Sequence, residues 1–101
     1  MKEISVQELK TRLDKGEELN VIDVREPWEF DEFNIGARNM PLSSFPSYLP
    51  LLEELKNKEV IVHCKMGGRS SQAVAILEQL GFTDVKNVTG GMDAWKASFP
   101  K

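Results

Sequence analysis

The chain has 101 residues, 41% hydrophobic and 29% charged, enough for one domain over residues 1–101 with a single core, and not the balance of a disordered segment. Thirteen Lys and Arg against sixteen Asp and Glu leave a formal net charge of -3, which excludes a broad basic face for nucleic acid or an anionic membrane but not a small basic pocket. One cysteine and one histidine exclude an internal disulfide and a multi-cysteine metal site, so no metal is expected.

Met1–Ser5 has neither the apolar stretch nor the small-residue cleavage site of a signal peptide, and the longest apolar run, Ala73–Leu77, is too short to span a bilayer. A cytoplasmic location without membrane contact is the expectation. Ser5 and Glu8 stand at capping-box spacing, Leu9 and Leu13 follow at helical intervals, and Gly16 stops the run. Asn20–Val24 is a β-branched run with few polar interruptions, as in a strand covered on both faces. Pro27 suits the first turn of a short helix in which Trp28, Phe30 and Phe33 supply apolar contacts, and Trp28, Phe30 and Trp95 are expected in the core. Gly36–Leu42 is expected to be extended. Pro46 and Pro50 break the next stretch and leave a helix over Pro50–Leu55, with Glu53, Glu54, Lys56 and Lys58 as its solvated end.

Glu59–His63 contains Val60-Ile61-Val62 and predicts a strand. Ser70–Leu80 predicts a helix with Ala73, Val74, Leu77 and Leu80 on one face and Gly81 as its stop. Val85–Val88 predicts the last strand, and Gly90-Gly91 precedes a short helix holding Trp95. Strands alternating with helices imply an α/β fold with a mainly parallel sheet and helices on both faces, whose ligands bind beyond the carboxyl ends of the strands.

Between the predicted strand at Glu59–His63 and the helix at Ser70–Leu80 lies Cys64-Lys65-Met66-Gly67-Gly68-Arg69-Ser70. Gly67 and Gly68 allow positive φ, so successive amide N–H groups can converge on one point, and the following helix start aims its dipole and unpaired N–H groups at the same place. Arg69 offers a permanent two-pronged cation and Lys65 a second charge. Everything around Cys64 favours an anion, and such surroundings lower a thiol from about 8.5 to roughly 3.5–7.5. Cys64 is therefore expected to be largely thiolate at neutral pH. The plainer reading makes Cys64 a buried strand residue, Gly67-Gly68 a tight turn and Arg69 a surface charge; their adjacency favours the site. Asp23 ends its strand, either facing the same pocket and holding Arg25 or the loop, or merely capping a turn. Arg25 reads as a structural ion-pair partner and His63 as a hydrogen-bonded structural histidine. Ser70 has capping and loop-binding roles open to it.

The Cys64–Ser70 segment resembles the active-site loop of the rhodanese family of sulfurtransferases. Asp23-Val24-Arg25 with Glu29-Phe30, Gly36-Ala37-Arg38-Asn39-Met40-Pro41, and Gly90-Gly91 with Trp95 resemble further signatures of that family, in order along nearly the whole chain. Phe33-Asn34-Ile35 departs from the Gly-His-Ile-Pro common in the family, a change in a rim segment that bears on substrate shape. The resemblance implies a three-layer fold with a mainly parallel five-stranded sheet. It also implies a double displacement: Cys64 takes the outer sulfur of a small anionic donor such as thiosulfate, holds it as a persulfide, and passes it to a thiol or cyanide, or to a sulfur-relay protein. In this reading Cys64 is catalytic, Lys65, Met66, Gly67, Gly68, Arg69 and Ser70 bind substrate, Asp23 and Arg25 support the loop, and no cofactor is needed. Phosphatases or arsenate reductases of the same fold use the same thiolate, but by family resemblance they place five residues between Cys and Arg, where this chain has four. A non-catalytic persulfide carrier or protein-binding module is the third reading.

Overall fold

The computed structural model describes residues 1–100. Five parallel strands, β1 (Lys2–Ile4), β2 (Val21–Asp23), β3 (Arg38–Asn39), β4 (Glu59–His63) and β5 (Asp84–Val88), form one sheet in the order β1-β5-β4-β2-β3. The helices are α1 (Val6–Asp14), α2 (Pro27–Glu32), α3 (Leu49–Leu52), α4 (Gly68–Gln79) and α5 (Gly91–Ser98).

Side chains alternate across a strand, so the central β4 feeds both faces of the sheet. Val60, Val62 and Cys64 join Ile22, Val24, Phe45, Leu52 and the Ala73-Val74-Leu77 face of α4 in one buried cluster. Ile61 joins Ile4, Val21 and Val88 in a second, closed by Val6 and Leu9 of α1 and by Ala94 and Trp95 of α5. The expected three-layer arrangement is present, and the hydrophobic run of β4 reflects burial on both sides.

Several local expectations change. Lys2–Ile4, for which no element was predicted, pairs with β5 in register Ile4 to Val88; three residues give no readable period. The helix expected over Pro50–Leu55 is one α-turn, Leu49–Leu52, between 3-10 segments at Leu42–Tyr48 and Glu53–Leu55; Pro50 stands in its first turn, where a missing N–H costs no intrahelical bond, and the turn beyond it tightens to 3-10 geometry. Leu80 lies beyond the last turn of α4 and is exposed. Trp28 is 63% exposed and α2 buries no residue fully, against the expectation that Trp28 and Phe30 belong to the core.

The topology fixes where chemistry can occur. From β2 the chain proceeds outward to β3, and from β4 it proceeds the other way to β5. Connections leaving β2 and β4 therefore diverge and open a crevice between their carboxyl ends, where Asp23 is in register with His63.

Candidate active site

Cys64 is the first residue after β4, and the chain then turns through Lys65 and Met66 to Gly67. Gly67 has φ +115°, and a Cβ there would meet only Asn87 Nδ2, at 3.8 Å. Glycine is needed here for backbone conformation, not space. That conformation directs the Gly67 N–H onto Cys64 Sγ at 3.0 Å, and α4 begins at the next residue. The Ser70 hydroxyl stands 3.3 Å from Sγ and 2.5 Å from Asn87 Oδ1, and its single proton can be given to either, while the Asn87 amide donates to Ser71 Oγ. Cys64 is only 1% exposed and forms part of the wall of a depression of about 290 Å³ shared with Lys65, Met66, Gly68 and Arg69.

Burial pushes the Cys64 thiol up, but the Ser70 hydroxyl and the N–H groups of Ser70, Gly67 and Met66 outweigh it, and the net shift is downward. The sign follows directly. Deprotonation is favoured in the fold, so alkylation by a neutral reagent should rise with pH through a midpoint below the free-cysteine value of about 8.5 and then level off. Rates measured with iodoacetamide across pH check this, and a midpoint at or above the free value would remove the cradle's proposed effect.

The loop is held from behind by the C-terminal helix. Met92 N donates to Cys64 O and Asp93 N to Lys65 O, both at 2.9 Å. These are N–H groups of the first turn of α5, which have no partner inside their own helix. Gly91 permits the approach: a Cβ there would stand 2.5 Å from Cys64 O and 2.6 Å from Lys65 O. Neither neighbour is a flexible side chain, so any larger residue forces the two segments apart.

Asp23 and Arg25 form a buried ion pair. Arg25 Nη2 donates to Asp23 Oδ2 at 2.7 Å and Nε to Oδ1 at 3.0 Å, and the Arg25 N–H reaches Oδ1 at 2.9 Å. A further bond from Arg25 Nη2 to Phe33 O ties down the segment after α2. Parts of both readings of Asp23 are present: the carboxylate holds the Arg25 guanidinium and also accepts the Arg25 N–H two residues on, and it lies on the His63 side of the sheet. His63 is fully buried and its Nε2 lies 3.9 Å from Asp23 Oδ2, but neither ring nitrogen has a hydrogen-bond partner, contrary to the expected hydrogen-bonded histidine. Burial holds its pKa down to about 4 against the pull of Asp23, so the ring is neutral at pH 7. It alternates with Cys64 along the strand and points to the opposite face.

Lys65 and Arg69 flank the cysteine as expected, yet neither is a free cation. Arg69 Nη1 and Nη2 donate to Glu29 Oε1 and Oε2 at 2.7 and 2.9 Å, and Lys65 Nζ donates to both carboxylate oxygens of Asp93 at 3.0–3.1 Å. The Arg69 guanidinium holds the Glu29 carboxyl down to about 2. Glu29 also accepts the Glu26 N–H at 2.9 Å, so its side chain is fixed from two directions. Met66 is 66% exposed on the rim, and Gly68 opens α4.

Glu29, Asn87, Gly91 and Asp93 were missed as contributors to the site, although Glu29 and Gly91 stand within the quoted signatures. Glu29 stands three residues after Glu26, a helix-start spacing that conceals its second role. By strand alternation Asn87 shares the face of Val85, opposite to Lys86, and a polar residue on that core-facing side was the available signal.

A thiol set in a ring of amides at the carboxyl end of a central parallel strand defines a cysteine-centred α/β domain. The chain belongs to the rhodanese-like domain family, whose model matches residues 5–98. A sulfurtransferase from Allochromatium vinosum is 35% identical over 94 residues, covering 92% of this chain and 86% of the relative. The adenylyltransferase/sulfurtransferase MoeZ of Mycobacterium tuberculosis is 38% identical over 93 residues, and the match covers 91% of this chain but 24% of MoeZ. Among solved structures, a rhodanese-like domain protein from Staphylococcus aureus superposes with TM-score 0.85 at 35% identity, covering 94% of this chain and 91% of that one. The human single-domain sulfurtransferase TSTD1 does so with TM-score 0.83 at 26% identity, covering 98% of each.

Proposed function

We propose that this protein is a sulfurtransferase that carries sulfane sulfur on Cys64, and the observation that bears most weight is the N–H of Gly67 set 3.0 Å from Sγ. The thiolate attacks the outer sulfur of thiosulfate, a new S–S bond forms at Sγ, and the bond to the sulfonate sulfur breaks with its electron pair leaving on sulfite. The charge of the persulfide sulfur stays near the same loop amides and the start of α4, which are already oriented toward it. Cyanide or a thiolate then attacks the outer sulfur, and the Cys64 thiolate leaves. Met66 and Gly68 shape the entrance, Ser70 lends its hydroxyl to Sγ, and Asp23 with Arg25 anchors the neighbouring segment without touching substrate. The sulfurtransferase names of the relatives support the transfer reading, and the joint adenylyltransferase and sulfurtransferase naming of MoeZ supports a sulfur-relay protein as donor or acceptor. The reading assigns the activity to one domain over residues 1–101, acting in the cytoplasm.

The test is intact mass after incubation with thiosulfate, followed by cyanide and a thiocyanate assay. A gain of one sulfur atom that cyanide removes as thiocyanate is the expected result. No gain, with turnover of an aryl phosphate, would favour the phosphatase reading, against which the four residues between Cys64 and Arg69 already stand. Absence of both signals would leave a binding module.

A further inference from the structure

Among the described residues, the cations that line the crevice around Cys64 are each held by a carboxylate, except Lys96. Arg69 is clasped at both terminal nitrogens by Glu29, Lys65 by Asp93, and Arg25 by Asp23. Lys96, on the far side of the adjoining depression that Trp28, Glu29, Glu32 and Lys65 also line, lies over the Phe33 ring at 4.9 Å. Charge that is cancelled within hydrogen-bond distance projects little field into solvent and draws in little counter-charge.

We propose that Glu29 is a specificity-determining residue: by occupying Arg69 it lowers the protein's preference for doubly charged sulfur donors relative to singly charged ones. This rests on the sulfur-transfer reading of Cys64 and refines its substrate class. Glu29 is suited to the task because it is held independently of Arg69. It stands in the first turn of α2 and accepts the Glu26 N–H, so a donor cannot displace it merely by rotating a loose side chain. A dianion would have to compete with a two-pronged ion pair already in place. The exposed Trp28 and Met66 near the entrance suit a donor carrying an apolar body and little charge.

Two donors with the same reacting bond isolate the charge. Thiosulfate carries two negative charges. Methanethiosulfonate carries one, because a methyl group replaces an anionic oxygen, and it leaves as methanesulfinate after the same attack on its outer sulfur. Glu29→Gln keeps an oxygen for the Glu26 N–H and removes the charge. The expected result is a rise of roughly tenfold in the ratio of kcat/KM for thiosulfate to that for methanethiosulfonate, with steeper salt dependence for thiosulfate. In the unmodified protein, thiosulfate kcat/KM should change by less than about twofold between low and physiological salt. An unchanged ratio, with both donors scaled together, would overturn the proposal, as would steep salt dependence in the unmodified protein. Intact mass separates the two levels of failure: sulfur gain on Cys64 with an unaltered ratio defeats the role of Glu29 alone, whereas no gain from either donor defeats the transfer reading as well.

Discussion

Cys64→Ser should gain no sulfur from thiosulfate and should lower thiocyanate formation by about 10⁴-fold or more. The loss is chemical in origin. The cradle lowers the proton affinity of a group that begins near 8.5, but a serine hydroxyl begins far higher and stays protonated beside the same donors. An alkoxide is also a poor leaving group for the second transfer, so both halves of the cycle fail together. The fold should be little affected. A serine oxygen placed near Sγ retains a donor in the Gly67 N–H and a neighbour in the Ser70 hydroxyl, so no buried polar group is left without a partner. Melting temperature and sulfur loading measured on one sample check both halves. A Cys64→Ser protein that still gains cyanide-labile sulfur would show that Cys64 does not carry it.

Asp23→Ala should be the most damaging change to stability around the site, by about 3–5 kcal/mol. Asp23 and Arg25 are almost completely shielded from solvent, so removing the carboxylate leaves a guanidinium buried without its counter-charge and deprives the Arg25 N–H of its acceptor. Arg25→Met placed on top of Asp23→Ala should recover a large part of the loss, because a buried pair is often no better than an apolar replacement while half a pair is much worse. Urea unfolding of the two variants against the parent checks the order, and a loss below about 1 kcal/mol for Asp23→Ala would mean that water or another acceptor reaches Arg25. The pair belongs to the fold and reaches the chemistry only by fixing the ends of β2 and α2.

Period and punctuation made the sheet legible. Val60-Ile61-Val62 is apolar at successive positions because β4 is covered on both faces, and the Ala73-Val74-Leu77 stripe of α4 needs only 3.6-residue spacing to be read. β1 escaped because it is three residues long and exists only through its pairing with β5, more than eighty positions away. Trp28 misled because apolar character does not specify burial; α2 ends on the surface, and its tryptophan remains there.

The same division runs through the site. Residue order by itself determined the position of the thiol, the positive-φ glycine after it and the helix start beyond, since these are neighbours in the chain and their geometry is local. Only the tertiary structure decided which charges remain available. Arg69 and Glu29 are forty residues apart, Lys65 and Asp93 twenty-eight, and whether a cation faces a substrate or a carboxylate depends on which segments the sheet order brings together. Coulomb energy depends on distance in space, and the spacing of charges along a sequence does not contain it.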